Sequence, residues 1–211
     1  PLIPKDRVIP IRERMSSDGT VDTPVDEHSV TRAVRQARLL GVQGIVVALI
    51  NAYRNPAHER KIGEIINRLI EDKYFVYCCT NGLLLDKMLT KIPPSKYLCW
   101  VVHMDGMEKM HDDSVARKGV FKKAVQVMEL ALNHGYRVCT NTTIFKNSDV
   151  EDLWEMFRLV NDIGVEGSMI SPGYDFEDAP IQDMFLSRRE SRNIFKKLLD
   201  PAKTAGMKFY N

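Results

Sequence analysis

Short apolar, β-branched runs alternate with amphipathic helical segments along most of this chain, and this alternation strongly constrains its fold. The strand-like runs recur at intervals of roughly 30 residues, the spacing of repeated βα units that build a parallel sheet. The 211 residues fall short of the roughly 250 that an eight-unit barrel takes. An open doubly wound sheet and a partial barrel both fit this rhythm, and we predict an α/β fold of the partial, open TIM-type barrel kind.

Strands and helices are predicted from this pattern as follows. The first strand, 44–50, is continuously apolar, so it is expected to be buried on both faces. Further strands are expected at 74–79, 97–102, 137–144 and 167–170, and another begins near Phe209. Helices are expected at about 26–40, 55–70, 83–89, 120–134, 150–163 and 187–205.

The N-terminal residues have a different pattern. Apolar and polar residues alternate over 7–14, a turn signal follows at 17–20, and 21–25 fits a short return strand. We therefore predict two parts, a β-hairpin arm at residues 1–25 and a partial barrel at residues 26–211.

Polar side chains follow the predicted strands, at the edge of the sheet where parallel α/β folds bind ligands. Thr80 and Asn81 come after the second strand, His103 and Asp105 after the third, and Asn141 lies near the end of the fourth. We expect these side chains to line one site.

Two histidines and two aspartates near the third strand are candidate metal ligands. Imidazole and carboxylate groups ligate zinc and iron, and the strand-end His103 and Asp105 could converge with His111 and Asp112 from the following loop. Their spacing matches no standard metal motif, however, which argues against a metal site. We predict no metal site.

The charge balance argues against some classes of partner. The chain has 30 basic and 28 acidic residues, and its net charge of +2 gives no electrostatic reason for a nucleic acid partner. No apolar run approaches the ~20 residues of a membrane span, and the N-terminus lacks the apolar core of a signal peptide. We expect a cytoplasmic protein.

The chain contains four cysteines: Cys78, Cys79, Cys99 and Cys139. Three of them fall inside strand-like runs, and the sequence has no Cys-x-x-Cys pair and no cysteine–histidine grouping at zinc spacing. Buried, reduced thiols are therefore expected.

Five motif regions follow one another in the second two-thirds of the chain. They are FVYCCTNGLLL at 75–85, VHMDG at 102–106 with MHDDSV at 110–115, GVFKKAV at 119–125, NTTIF at 141–145 and ISPGY at 170–174. Their order and spacing over residues 62–199 resemble the radical S-adenosylmethionine (SAM) superfamily, and within it the adenosylhopane synthases of hopanoid biosynthesis. The resemblance implies a barrel that binds SAM and a [4Fe–4S] cluster.

The resemblance also implies roles for individual residues. Arg117 suits a carboxylate such as that of the SAM methionine, because a guanidinium binds it bidentately. Asp105 and Asn141 suit ribose or amino groups, and Cys79 is the candidate catalytic residue, a hydrogen-atom donor to a carbon radical. A surface arginine, strand-end hydrogen bonds and a packed thiol are the structural alternatives. The residues implied for the cofactor site are Thr80, Asn81, Asp105, Arg117, Asn141 and Pro172.

The front of the chain resembles a different family. RMSSDG at 14–19, PVDE at 24–27, GVQGI at 41–45 and NAYRNPAHER at 51–60 are similar to the N-terminal region of hydantoinase A/5-oxoprolinase proteins. Arginine dominates the basic residues up to residue 60, with eight Arg and one Lys, whereas lysine dominates afterwards, with fourteen Lys and seven Arg. Both signals indicate a chimera with a seam near residues 60–62.

The central motifs of both families are missing from this sequence. It has no Cys-x-x-x-Cys-x-x-Cys loop to hold the cluster, and 51–54 stands where the SAM-binding Gly-Gly-Glu-Pro loop is expected. We predict a non-catalytic chimeric or truncated α/β scaffold, without a cofactor, whose open sheet a second copy closes. Two alternatives stay open: a radical SAM enzyme that adds a 5′-deoxyadenosyl group to a polyprenoid, and a SAM- or nucleotide-binding module.

Overall fold

The computed structural model describes residue 4 and residues 7–15, 20–47, 57–173 and 182–210. A short antiparallel hairpin at the N-terminus pairs β1 (Arg14–Met15) with β2 (Val21–Thr23), and Arg14 faces Thr23. This confirms the predicted hairpin, but its first strand shares only Arg14 with the predicted strand at 7–14. The predicted turn at 17–20 lies mostly outside the described residues.

Six parallel strands form one open sheet, which confirms the predicted α/β fold of the partial-barrel type. They are hydrogen-bonded in chain order, because each βα unit adds its strand beside the previous one. The strands are β3 (Gly44–Val47), β4 (Phe75–Thr80), β5 (Leu98–His103), β6 (Arg137–Ile144), β7 (Ser168–Pro172) and β8 (Phe209–Tyr210).

The chain divides into two compact units. Unit 1 comprises Pro1–Cys79 and Lys87–Cys99, and unit 2 comprises Thr80–Asp86 and Trp100–Asn211. Each is described by itself below. The predicted division at residue 25 and the predicted seam at 60–62 stay predictions.

Unit 1 contains two helices beside β3 and β4. The first, α1 (Glu27–Leu39), begins after Asp26, whose carboxylate accepts the backbone N–H groups of His28 and Ser29. The second, α2 (Ala57–Glu71), buries Ile66 and Leu69. A short helix, α3 (Leu85–Leu89), follows β4. These elements match the predicted positions to within a few residues.

The first strand of the sheet differs from its prediction. The continuous apolar run predicted burial on both faces, but Val46 is 62% exposed and no residue of β3 is fully buried. The reason is its position: β3 lies at the edge of the sheet and pairs only with β4 among the described strands. Residues 48–50 of the predicted strand lie outside the described part of the chain.

Unit 2 packs two long helices, α5 (Val120–Asn133) and α6 (Val150–Ile163), on one side of its strands. Side chains of β6 alternate: Val138, Thr142 and Ile144 are buried, whereas Asn141 and Thr143 remain partly exposed on the opposite face. The most deeply buried helix residues include Ala124, Val127, Met128, Leu153, Met156 and Phe157.

Two helices of unit 2 correct the sequence prediction. Residues 108–114, expected as a loop, form α4 (Glu108–Ser114). The last helix, α7 (Arg188–Leu198), is shorter than the predicted 187–205. It begins at a capping box of Ser187 and Glu190, and Pro201 follows soon after its end, where a proline cannot continue a helix.

None of the helices in the described part of the chain has the length and apolarity of a membrane-spanning segment.

Candidate functional site

The carboxyl ends of the strands in unit 2 bring several of the predicted site residues together. The Met104 N–H donates to the carbonyl of Asn141 (2.9 Å), and the Thr142 hydroxyl donates to the carbonyl of Met104 (2.7 Å). The segment after β5 therefore lies alongside the end of β6. In the parallel pairing of β6 with β7, Thr143 is opposite Ser171.

Asp105 is the buried centre of this region, with a relative exposure of 7%. Its Oδ1 accepts the Thr143 N–H (2.9 Å), and its Oδ2 lies 2.8 Å from His103 Nε2. The Ser114 hydroxyl lies 3.2 Å from Oδ2 and 2.8 Å from the His111 carbonyl, so its one hydrogen has two acceptors. Burial alone would raise the pKa of Asp105, but His103, Thr143 and Ser114 together lower it. The carboxylate thus ties β5, α4 and β6 together.

Two histidines flank Asp105 in different ways. His103 is partly exposed, and its Nε2 is directed to the carboxylate, which leaves Nδ1 without a hydrogen bond to any described residue. His111 is 1% exposed, and its Nδ1 accepts the Asp105 N–H (3.1 Å). Burial, together with the nearby His103, lowers the pKa of His111, so the neutral imidazole is favoured.

The predicted convergence of His103, Asp105, His111 and Asp112 takes the form of internal hydrogen bonds. Asp112 accepts the N–H groups of Gly119 (2.5 Å) and Phe121 (2.9 Å), and so caps the start of α5 from the neighbouring α4. These backbone contacts, with that of Phe121 foremost, lower the pKa of Asp112. The Nδ1 of His111 is occupied by the Asp105 amide. These side chains are therefore engaged in internal hydrogen bonds, and His111 Nε2 is buried without a partner among the described residues.

The loop that presents Asp105 is held in place by close packing. Gly106 has φ of +145° and leaves no room for a Cβ beside Met110 and Asp152. The next residue, Met107, donates its N–H to Asp152 Oδ2 (2.7 Å) at the start of α6. A glycine is required here by both conformation and space.

Thr80 and Asn81 form the turn after β4. The Thr80 hydroxyl accepts the Gly82 N–H (3.1 Å), and Asn81 Oδ1 accepts the Leu83 N–H (3.1 Å). Gly82, with φ of +79°, packs closely against Ala124 and Val127 of α5. Both side chains therefore stabilise the turn, and their predicted contact with a cofactor stays a prediction.

The remaining predicted cofactor residues differ in their freedom to bind a ligand. Arg117 is exposed in the loop between α4 and α5, and its guanidinium contacts no carboxylate among the described residues. Asn141 Oδ1 is buried without a hydrogen-bond partner in the described part of the chain. Pro172 ends β7 opposite Ile144. Arg117 and Asn141 are thus the two that have unused polar groups.

Ser114 and the backbone of Thr143 belong to this network, and the sequence analysis did not predict a role for either. Ser114 lies three residues after His111, which is one turn of a helix, but that segment was expected to be a loop. Thr143 contributes a backbone amide, for which the side-chain pattern gives no signal.

The cysteines do not fit the donor set of a [4Fe–4S] cluster, in which three cysteine thiolates of one loop bind iron. Cys78 and Cys79 are consecutive in β4, so their side chains point to opposite faces of the sheet. Burial, with a contribution from Cys79, raises the pKa of Cys78 to about 12, and burial also raises the pKa of Cys79. Cys99 and Cys139 are buried in β5 and β6. No three of the cysteines therefore lie in one loop, as the donor set of the cluster requires.

Comparison with known protein sequences finds relatives for the first third of the chain. Residues 1–70 match the model of the hydantoinase/oxoprolinase N-terminal region. The acetophenone carboxylase gamma subunit of Aromatoleum aromaticum is 42% identical over 66 residues, which are 31% of this chain and 9% of that protein. The acetone carboxylase beta subunit of Xanthobacter autotrophicus is 31% identical over 71 residues, which are 34% of this chain and 10% of that protein. The chain thus spans about a tenth of these relatives.

Solved structures of radical SAM enzymes share the fold. SuiB of Streptococcus suis bound to SAM superposes with a TM-score of 0.69 at 12% identity, over 96% of this chain and 48% of that one. The enzyme anSMEcpe with bound SAM gives a TM-score of 0.59 at 14% identity, over 93% of this chain and 58% of that one. The chain is therefore similar to hydantoinase-type proteins over residues 1–70 and has the fold of a radical SAM barrel.

Proposed function

We propose that this chain is a non-catalytic α/β scaffold in which a hydantoinase-type segment is joined to part of a radical SAM barrel of the hopanoid-biosynthesis type. The proposal rests on one observation: neither the spacing nor the environment of the four cysteines suits a cluster. The sequence has no Cys-x-x-x-Cys-x-x-Cys loop, and the adjacent Cys78 and Cys79 have raised pKa values in a strand. Without three converging thiolates, the reductive chemistry of the superfamily has no centre in this chain.

Anaerobic reconstitution with ferrous iron and sulfide tests this proposal. We expect less than about one iron per chain after desalting, and no absorbance band of an iron–sulfur cluster, because no set of three thiolates is available. A variant in which all four cysteines are replaced by serine should retain the same trace of iron. About four irons per chain, lost in the cysteine-free variant, would refute the proposal.

A second function, binding of SAM or a related nucleotide without catalysis, is favoured by two unused polar groups. The exposed Arg117 guanidinium is available for a carboxylate or phosphate, and Asn141 Oδ1 is available for an amino or hydroxyl group. Asp105 has both carboxylate oxygens in internal hydrogen bonds, so its contribution would be to hold the loop and β6 in place.

Thermal unfolding with and without millimolar SAM tests this second function. A ligand that binds only the folded state raises the melting temperature. At a ligand concentration one hundred times its Kd, the free energy of unfolding increases by about 2.7 kcal/mol. We expect Arg117→Ala to abolish the shift. Lys118→Ala, which removes a neighbouring exposed cation, should leave it unchanged. An equal shift in all three proteins, or none in the wild type, would contradict binding at Arg117.

The proposal includes the remaining expectations from the sequence. The chain works in the cytoplasm without a nucleic acid partner, and a second copy covers the exposed edge strand β3, where Val46 is uncovered. Addition of a 5′-deoxyadenosyl group to a polyprenoid is the competing function, and cluster formation in the reconstitution experiment would favour it.

A further inference from the structure

The C-terminal helix and the turn that follows it have a strong local excess of positive charge. Residues 187–203 contain six basic and two acidic side chains, a net charge of +4 in a chain whose total is +2. The rest of the chain therefore has a net charge of −2. The near-neutral total conceals this cationic segment, which follows an acidic stretch at 174–186 with four acidic and no basic residues.

Four of the cations of α7 point to one side of the helix. At about 100° per residue, Arg188, Arg189, Arg192 and Lys196 fall within an arc of about 100°. All four are exposed, whereas Leu198 on the opposite side is buried and Ile194 is partly buried. We call these four residues the basic arc.

Some cations elsewhere in the described chain have a carboxylate partner. Arg38 pairs with Asp72, Lys122 with Glu108, and Lys123 with Asp86, at N···O distances of 2.5 to 2.9 Å. No residue of the basic arc has a carboxylate partner among the described residues. Glu190, the one acidic residue of α7, is engaged in the capping box with Ser187.

Two residues of the basic arc also oppose the helix dipole. Arg188 and Arg189 occupy the first turn of α7, where the positive end of the dipole disfavours cations. The first turns of α1 and α6 contain Glu27, Glu151 and Asp152 and no arginine, whereas that of α7 contains Glu190 together with the two arginines. No carboxylate of the described residues contacts either arginine, and an anionic partner at this turn would offset their unfavourable position.

We propose that the basic arc docks the protein on an anionic lipid surface. The cations line the outward side of a helix that is fixed to the body of unit 2. The Trp154 indole N–H donates to the Leu198 carbonyl (2.9 Å), and the ammonium groups of Lys197 and Lys203 lie over the Trp154 ring. A fixed, outward row of cations matches an extended layer of lipid phosphates and carboxylates.

A nucleic acid fits these features less well. A helix that reads a duplex must protrude into a groove, whereas α7 is packed along α6. Single strands are bound on exposed aromatic platforms, and Phe195, the aromatic residue of α7, is partly buried. The absence of a polar network between the arc residues also favours a partner that is recognised by charge alone.

Co-sedimentation of the full chain with vesicles tests the proposal. Vesicles of phosphatidylcholine with about 30% phosphatidylserine should bind the protein at low salt, and the binding should disappear near 0.5 M salt. Arg188→Glu/Arg189→Glu should weaken binding at least about 100-fold, because it changes the local charge by four. The same variant should keep or raise the melting temperature, since acidic residues are favoured in the first turn.

Arg35→Glu/Arg68→Glu is the matched control, because it makes the same change of charge on α1 and α2. Loss of binding only in the α7 variant supports the proposal. Three results would overturn it: no binding to the anionic vesicles, equal binding to pure phosphatidylcholine, or equal loss in the control. Tighter, arc-dependent binding to a duplex RNA or DNA probe than to the vesicles would likewise overturn it.

Discussion

Asp105 links three segments of unit 2 through a single carboxylate. It holds the Thr143 amide of β6, the His103 imidazole at the end of β5 and the Ser114 hydroxyl of α4. Buried hydrogen bonds to a charged group contribute more than neutral ones, and loss of one partner leaves the others unsatisfied. The stability of this region should therefore depend strongly on the charge of this residue.

Asp105→Asn is expected to destabilise the protein by about 1–3 kcal/mol at pH 7, because an amide NH₂ would face the His103 and Ser114 donors. The lowered pKa of Asp105 fixes the pH dependence. Its stabilisation is complete above the unfolded value of 3.8 and is lost as the pH falls through the lower folded value. Urea unfolding from pH 7 to pH 3 should show a flatter acid limb in the variant, and an unchanged limb would contradict the assignment.

His111 makes the folding stability depend on pH in a second range, near the ordinary pKa of histidine. Burial, reinforced by His103, lowers its pKa below 6.5, so the unfolded chain takes up a proton more readily than the folded one. Stability is therefore complete above about pH 6.5 and falls as the pH drops below it. His111→Phe should remove this dependence below about pH 6.5, while lowering stability at pH 7 because the Asp105 amide loses its acceptor. The exposed His134→Phe is the control, and should retain the wild-type slope.

At the scale of elements, α4 supplies a cap for α5. The first turn of α5 begins after Gly119, which has no side chain to cap it, and Asp112 of α4 accepts the Gly119 and Phe121 N–H groups instead. A cap supplied from another helix fixes the angle between the two as well as satisfying backbone donors.

Asp112→Ala should lower the melting temperature by at least about 2 °C, because two N–H groups at the start of α5 lose their acceptor. Asp113→Ala is the matched control, since Asp113 is exposed and only pairs with Lys109 within the helix. We expect a change of less than about 1 °C for the control. Equal effects of the two substitutions in thermal denaturation followed by circular dichroism would contradict the capping role.

Elements with a clear period or cap were predictable from the sequence, and those whose form depends on neighbours were not. The Asp26 cap predicted the start of α1, and the apolar period with Gly164 predicted α6. The short α4 was missed because its buried residues, His111 and Asp112, are polar. They make hydrogen bonds in the interior, so the segment shows no apolar period. The burial of β3 depends on its place in the sheet, which no local pattern encodes.

The same distinction applies to the candidate site. Polar residues were expected to gather at the strand ends. The hydrogen bonds from Met104 to the Asn141 carbonyl and from Thr143 to Asp105 hold these two segments side by side. The sequence pattern could not predict which polar atoms would form hydrogen bonds within the protein. Thr80, Asn81 and Asp105 use theirs for turns and loops, whereas Arg117 does not.

At the scale of the whole molecule, the chain combines similarities that belong to separate families. Residues 1–70 match a hydantoinase-type segment, and the fold as a whole is that of radical SAM barrels. A fold does not by itself provide chemistry, which depends on the donor groups at the site. Here the four thiols lie in strands and no three of them share a loop, so we propose that the chain has the fold without the reaction.

The most direct test of that central claim is the release of 5′-deoxyadenosine. After anaerobic reconstitution with iron and sulfide, the full chain is incubated with SAM and excess dithionite, and the products are separated by liquid chromatography with mass detection. We predict no 5′-deoxyadenosine above the level of a protein-free control. Release that depends on the protein, and that disappears when its cysteines are replaced by serine, would contradict the claim and establish radical SAM chemistry in this chain.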